Sequence, residues 1–483
     1  MKRIFAPLVA FWLRLTNRYE GAGYSMGRSW LDSSYTSARF DITQSTREQI
    51  VRKSRYFEQN SDIMQRAADL FECYTVGPSF QIQPASSDPE WNRRAKAWFD
   101  RWATLPDVAS RQQLSTLLGL VARAWFTDGE VFINKTRGDS GIPRLQILET
   151  QLCRTPDALK DDPTVLDGVE IDARTGRPTA YYFGDETKPG QFSGIRRVPS
   201  YGIIHVMEPC RPGQIRGLPF CYSVINTLHD LDDLQKLEMR AAKIGASVAN
   251  VATMKTGEVT ASSLRGGGLA SVRPADRAQA VKDVSGPETI ILNEGETFQQ
   301  FATERPSLNM QEFWKQLTMK VCAGLGISYV LLYPETMQGT VYRGTLDMSA
   351  VWFRSRHAVI AAAAQDIWEY VIGWAIKNPG LTNLGDAPED WFKTSIRAPR
   401  APNVDVGRNS AAQIAELEAG ITSPEEIYGP RGLDPYEEAR KKAEWIRNIR
   451  AIATEYGVAP EEIAAGVKSA ASPQLTEPRG FAA

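Results

Sequence analysis

The chain has 483 residues, too many for one hydrophobic core, and this length predicts two to four structural units of roughly 100–200 residues each. Its 56 Lys and Arg residues balance 57 Asp and Glu residues, which excludes a protein that binds nucleic acid over its whole surface but not one with a local basic ring. The five cysteines are scattered without C-x-x-C spacing, so we expect buried free thiols in a reducing compartment and no zinc site.

Residues 1–42 are predicted to form an N-terminal arm. Their apolar run from Ile4 to Leu15 is too short to span a bilayer and contains Arg14, which favours a packing helix over a secretory signal. No other stretch is long and apolar enough to cross a membrane. Gly23-Tyr24-Ser25-Met26-Gly27 matches the G-x-S-x-G nucleophile elbow of hydrolases, but that motif requires a preceding buried strand and the residues before it are polar. We therefore expect a glycine-rich arm, with a serine hydrolase using Ser25 as the alternative.

Residues 43–218 are predicted to mix helices and strands. Apolar spacing indicates helices over 43–75 and about 110–127, and Asp88-Pro89-Glu90 has the N-cap and first-turn proline that begin another. From residue 130 the period changes to two, which predicts five strands: Val131–Ile133, Leu145–Leu148, Val169–Ile171, Ala180–Phe183 and Ile203–Val206. His205 lies within the last strand, and we expect it to be a hydrogen-bonded core residue rather than a metal ligand.

A glycine- and proline-rich turn follows, and then a long helix. Two glycines and two prolines fix the shape of the run from Arg211 to Pro219. Apolar residues at three- and four-residue steps then predict a helix over 219–250. Residues 251–306 lose this period and include Gly266, Gly267 and Gly268, a predicted flexible hinge. The chain has no G-x-x-x-x-G-K-[ST] phosphate loop, so an ATPase would be a different protein.

The remaining third of the chain is predicted to be mostly helical. A strand at 289–292 precedes a helix that ends at Gly324-Leu325-Gly326, residues 330–343 are predicted as a loop, and 344–377 as a long helix. Ser423-Pro424 and Asp434-Pro435 begin two further helices. Residues 471–483 are small and polar and predict a disordered tail.

Several of these segments resemble, in the same order, those of the lambda family of phage portal proteins. The run Arg211–Pro219 with its leucine-spaced helix carries the resemblance most strongly. Arg52–Asn60 is similar to the basic early helix of the family, Gly324–Tyr329 to its glycine-leucine-glycine turn, and Tyr342-Arg343 to its arginine-containing stretch. The resemblance extends from about Arg18 to about Trp445.

The resemblance implies an α+β portal fold with a mixed α/β wing, long stem helices, a small clip and a helical C-terminal crown. It divides the chain into an N-terminal arm (1–42), wing (43–218), first stem helix (219–250), clip (251–306), second stem helix (307–329), tunnel loop (330–343), long helix and wing return (344–400), crown (401–470) and tail (471–483). The residues implied to act are those of the wing–stem turn (Arg211, Pro212, Gly213, Gln214, Arg216, Gly217), the DNA-facing tunnel loop (Gln338, Thr340, Tyr342, Arg343) and the flexible clip loop (Gly266, Gly267, Gly268).

The implied function is that of a non-enzymatic dodecameric ring at one capsid vertex. Its channel would carry double-stranded DNA during packaging and ejection, and it would dock the large terminase and then the head–tail connector proteins of the neck. Major capsid and scaffold proteins are further expected partners, and no cofactor, metal or membrane is expected. The protein would assemble in the host cytoplasm and reside in the virion. Besides the hydrolase, a structural adaptor without a pore is the other alternative.

Overall fold

The computed structural model describes residues 37–78, 80–253, 288–292, 308–333, 339–399, 406–429, 433–459 and 463. The chain begins with a group of helices: α1 (Ala38–Asp41), α2 (Gln44–Asn60), α3 (Asp62–Thr75), α4 (Pro89–Ala103) and α5 (Leu114–Asp128). The single helix predicted over 43–75 is divided at Ser61, whose backbone is extended. The predicted start of α4 is confirmed, because the Asp88 side chain accepts hydrogen bonds from the backbone N–H groups of Glu90 and Trp91.

Two antiparallel sheets follow these helices. The first eight strands are β1 (Ile82–Pro84), β2 (Glu130–Arg137), β3 (Pro143–Leu148), β4 (Val165–Leu166), β5 (Val169–Ile171), β6 (Pro178–Lys188), β7 (Gln191–Pro199) and β8 (Ile203–Met207). The strand orders are β3-β2-β8 in one sheet and β4-β5-β6-β7 in the other. All five strands predicted between residues 130 and 208 are confirmed, whereas β4 and β7 in the same stretch were not predicted. Most of β7 is exposed, so it lacks the alternation of apolar and polar residues by which a half-buried strand is recognised.

Two long helices pack side by side after the turn at 211–219. They are α6 (Ile225–Ser247) and α7 (Leu308–Leu325), and they run antiparallel, because Gly324 near the end of α7 lies against Val224 at the start of α6. At the other end of α6, strands β9 (Val248–Thr253) and β10 (Glu288–Leu292) pair in parallel. The predicted hinge at Gly266, Gly267 and Gly268 lies outside the described residues.

The rest of the described chain consists of α8 (Tyr329–Leu332), α9 (Gly339–Lys377), α10 (Pro379–Thr382), β11 (Thr394–Ile396), α11 (Val406–Glu418), α12 (Pro424–Tyr428) and α13 (Pro435–Tyr456). Strand β11 pairs antiparallel with β1, so this late segment lies beside a segment from the first hundred residues. The loop predicted over 330–343 is wrong at both ends, since α8 and the first turn of α9 occupy part of it. Tyr342 packs against the core and Leu346 is buried one turn later, and this packing favours a helix there despite Gly339 and Gly344.

Two hydrophobic clusters form the interior. The larger one joins helices α2–α7 and α9 to the sheet that contains β2, and its largest fully buried side chains include Trp91, Trp125 and Trp368. The smaller one lies between the two sheets and includes Phe132, Cys153 and Tyr181. Of the five cysteines, Cys153, Cys221 and Cys322 are buried as expected, but Cys73 and Cys210 are exposed; all five are free thiols.

Candidate functional site: the turn that precedes α6

The turn at residues 211–219, here called the wing–stem turn, begins at the surface and ends in the core. Arg211, Pro212 and Gly213 are exposed, and Gly213 has φ +82°, a conformation that glycine adopts without strain. The Gln214 side chain accepts a hydrogen bond from the Cys210 backbone N–H at 2.9 Å and donates one to the Arg216 carbonyl at 2.8 Å. Gln214 therefore links the residue before the turn to Arg216 within it.

Arg216 is the buried end of this turn, with only 4% of its surface exposed. Its Nε donates to Glu130 Oε1 at 2.8 Å and its Nη2 donates to the Thr150 carbonyl at 3.0 Å. Its Nη1 donates to the carbonyl oxygens of Cys153, at 3.2 Å, and Asp167. The acceptors lie on β2 and on the connections between β3 and β5. The guanidinium thus anchors the turn to both sheets and does not present its charge to a ligand.

Glu130 and the five side chains around it are called here the Glu130 cluster: Arg47, Glu130, Thr150, Asp167, His205 and Arg216. Glu130 is fully buried; it accepts hydrogen bonds from the Thr150 hydroxyl at 2.5 Å and the Gly217 backbone N–H at 2.7 Å. Arg47 of α2 binds both oxygens of Asp167, through Nε at 2.5 Å and Nη2 at 3.0 Å. Two guanidinium groups face two carboxylates, so the cluster is electrically balanced when His205 is neutral.

The pKa values in the cluster follow from burial and from these partners. Burial alone would raise the pKa of Glu130, but Arg216, His205 and Arg47 outweigh it, and the pKa lies well below its usual range. Burial lowers the pKa of His205, although its hydrogen bond to Glu130 opposes the change. Its Nε2 lies 3.0 Å from Glu130 Oε2 and its Nδ1 3.4 Å from the Tyr181 hydroxyl. The expectation that His205 is a hydrogen-bonded core residue is confirmed.

The backbone of the turn passes so close to the end of α5 that neither segment has room for a side chain. A Cβ at Gly217 would lie 2.1 Å from the carbonyl oxygen of Gly129, and a Cβ at Gly129 would lie 2.0 Å from the carbonyl carbon of Leu218. Gly129 also ends α5 in the left-handed conformation, with φ +85°. Both glycines are therefore required for this contact.

An aromatic group continues the anchorage toward α6. The Phe220 ring stacks on Phe126 at a centroid distance of 5.2 Å and contacts Phe71 at 5.0 Å. The Phe220 backbone N–H donates to the Phe126 carbonyl at 3.1 Å. Trp352 of α9 contacts Phe220 from another side, so the segment that leads into α6 packs against α3, α5 and α9 together.

The other predicted site residues do not join this turn. Thr340, Tyr342 and Arg343 lie in the first turns of α9 rather than in a loop, with Arg343 exposed. Gln338, the clip loop of Gly266, Gly267 and Gly268, and Ser25 of the G-x-S-x-G stretch lie outside the described residues. In the described ranges, no group of His, Cys, Asp and Glu side chains has a geometry suited to a metal ion. Over these same ranges, no helix combines the length and apolar character that a bilayer requires.

Sequence reasoning identified the turn but not its partners. Glu130, Arg47 and Asp167 were not predicted, and their contacts join positions up to 120 residues apart. A weak signal existed for Glu130, since a carboxylate directly before the apolar residues Val131, Phe132 and Ile133 requires a partner if the strand is buried. Nothing comparable marks Arg47, which stands in a polar helix.

A shallow cleft of about 320 Å³ lies between α6 and α7. Its lining residues are Gln235, Glu238, Met239, Ala242, Met310, Gln311 and Trp314. Beside it, Leu237 is 61% exposed and Phe313 51% exposed. These two helices therefore carry apolar side chains that the described part of the chain leaves uncovered.

Comparison with known proteins identifies the family. The family model described as "Phage portal protein, lambda family" matches residues 25–345. The "Probable portal protein" of Halomonas phage phiHAP-1 is 24% identical over 453 residues, covering 88% of this chain and 85% of that protein. Portal protein B of Escherichia phage lambda is 23% identical, covering 87% of each. A chain in the solved structure "Virion of native gene transfer agent (GTA) particle" is 13% identical, with a TM-score of 0.42 and coverage of 80% of this chain and 94% of that one. The family match spans well over half of the chain, which therefore belongs to the lambda family of phage portal proteins.

Proposed function

We propose that this chain assembles into a ring of identical subunits, a dodecamer at one capsid vertex, whose central channel carries double-stranded DNA during packaging and ejection. Membership of the portal family over residues 25–345 supports this proposal. The exposed apolar residues of α6 and α7, including Leu237 and Met239, supply a physical reason for assembly. An identical neighbour would bury them, since a closed ring repeats the same contact at each subunit.

The proposed partners follow from the order of events at a capsid vertex. Residues 251–306 form the clip that meets the large terminase during packaging and the head–tail connector proteins afterwards. Major capsid and scaffold proteins surround the ring as it is built in the host cytoplasm. These contacts belong to the proposal and require no catalytic group in this chain.

The first turns of α9 are proposed to face the DNA. Arg343 is exposed there and Thr340 lies within the same turn of helix, whereas Tyr342 of that turn packs against the core. The backbone N–H groups at a helix N-terminus attract anions, so the helix end and Arg343 both favour phosphate. A continuous basic lining would bind DNA tightly through counterion release, whereas one arginine in each subunit gives repeated weak contacts over which DNA slides.

Negative-stain images of the purified full chain test the ring. We expect particles with rotational symmetry and a central hole. Compact particles without a hole would favour the adaptor alternative, and ester hydrolysis that disappears in Ser25→Ala would favour the hydrolase.

A further inference from the structure

The Glu130 cluster joins three parts of the chain that are distant in sequence. Arg47 lies on α2, Asp167 lies in the connection between β4 and β5, and Arg216 lies in the wing–stem turn. Glu130 Oε1 binds the Arg216 guanidinium while Oε2 binds the Gly217 backbone N–H and His205. One carboxylate therefore holds both the side chain and the backbone of the turn at the point where the chain leaves the sheets for α6.

A buried ionic cluster is an unusual means of stabilising a fold. Well-packed apolar residues of similar volume often give equal or greater stability, because buried charges lose their hydration. Charged hydrogen bonds instead fix the relative orientation of the groups they join, because a guanidinium that makes two hydrogen bonds sets both the distance and the angle to its partner. Beyond Leu231, the α6 side chains that the structure describes are half-buried or exposed. The outer part of α6 packs beside α7, and the direction of this helix pair is thus set largely where the two helices meet the core.

We propose that the Glu130 cluster fixes the direction in which α6 leaves the sheets, and that this direction determines how many subunits close the ring. The inference rests on the proposed ring function. In a closed ring every subunit is related to the next by the same rotation. That rotation must satisfy contacts made by α6 and α7 and contacts made by the sheets at the same time. A changed angle between α6 and the sheets changes the rotation that satisfies both sets of contacts, and hence the subunit number.

The test compares subunit-number distributions of full-length variants. Glu130→Gln removes the charge but keeps the shape, and Thr150→Val is a milder change that removes the hydroxyl shared by Glu130, Arg47 and Arg216. Glu170→Gln is the matched control. Glu170 also accepts two hydrogen bonds from one arginine, Arg197, each at 2.8 Å, but this pair lies on the surface of the β4-β5-β6-β7 sheet, away from the cluster. Native mass spectrometry and averaged top views would give the subunit number of each ring.

We expect Glu170→Gln to keep the wild-type distribution. In Glu130→Gln the dominant subunit number should lose at least roughly half of its share to neighbouring numbers, with a smaller redistribution in Thr150→Val. If Glu130→Gln does not fold, Thr150→Val decides alone. A folded variant of either kind with the wild-type distribution would overturn the inference, as would an equal redistribution in Glu170→Gln. Absence of rings in the wild-type protein would instead contradict the proposed function.

Discussion

Arginine residues in this chain differ in role according to the burial of the guanidinium. Arg47 and Arg216 are buried and bind carboxylates that are themselves buried, so removing either would leave an uncompensated charge in the core. Arg197 binds Glu170 at the surface and holds the pKa of that carboxyl at about 2, but solvent screens this pair and reduces its effect on stability. Sequence composition alone cannot separate these classes, since all three stand among polar or mixed neighbours.

The first prediction concerns the pH dependence of stability, which should depend on the two buried histidines. Burial lowers the pKa of His205 and of His357, whose Nδ1 lies 2.8 Å from the Thr75 carbonyl. The unfolded chain therefore binds these protons first as the pH falls. The stabilisation is complete above the unfolded pKa of about 6.5 and is lost as the pH falls below it.

Urea unfolding at about pH 7.5 and about pH 5.5 measures this effect, which cannot exceed about 1.4 kcal/mol for each histidine over this interval. Both His205→Gln and His357→Gln should reduce the difference in unfolding free energy between the two pH values. His229→Gln, at a side chain that is 64% exposed, is the control. Equal pH dependence in the wild-type protein and the double variant would show that these histidines do not titrate differently on unfolding.

A second prediction separates two glycines of the wing–stem turn. Gly217→Ala introduces a Cβ at 2.1 Å from the Gly129 oxygen and should cost about 1–3 kcal/mol or more of unfolding free energy. Gly213 has open space but a left-handed backbone, so Gly213→Ala should cost about 1 kcal/mol and Gly213→Asn less, since asparagine tolerates that conformation. At Gly217, asparagine should be worse than alanine. Urea unfolding gives the unfolding free energy of the alanine and asparagine variants. If the two rank in the same order at Gly213 and at Gly217, this distinction is wrong.

At the scale of whole elements, the sequence predicted the helix starts that neighbouring side chains determine. Helix starts at Asp88, Ser423 and Asp434 are confirmed, because each side chain caps backbone N–H groups within three residues. Strand β7 and the early start of α9 were not predicted, because they depend on partners distant in sequence. β7 forms by pairing with β6, and the first turns of α9 form over a core that includes Leu346.

The third prediction tests the early start of α9. Gly344 lies inside the helix that begins at Gly339, and a Cβ added at Gly344 would meet no atom within 4 Å. Gly344→Ala should therefore raise the unfolding free energy by about 0.5–1 kcal/mol, as in other helix interiors. Gly326→Ala, with φ +73° and a Cβ at 2.6 Å from Trp352, should lower it. Urea unfolding of both variants is the measurement, and a loss of stability in Gly344→Ala would contradict a helix that begins as early as Gly339.

At the scale of the whole molecule, family and function could be predicted from the order of motifs, but the anchoring chemistry could not. The turn at 211–219 was recognised by its glycines and prolines, which report backbone shape. Its hold on the sheets depends on Glu130 and Asp167, which are 86 and 49 positions from Arg216. Such contacts arise only when the sheets are assembled, so no local pattern encodes them.

The last prediction concerns DNA retention and the arginine at the start of α9. If Arg343 faces the channel, Arg343→Ala should weaken DNA retention equally for all sequences and reduce its dependence on salt, because a phosphate contact is lost. Rings should still form, since Arg343 is exposed and the buried residues of α9 are unchanged. Arg354→Ala, at another exposed arginine farther along the same helix, is the matched control. Genome retention in assembled particles at increasing salt is the measurement. Arg343→Ala rings that disassemble would assign this arginine to the scaffold, and particles that keep their genome as the wild type does would place the DNA contact elsewhere in the channel.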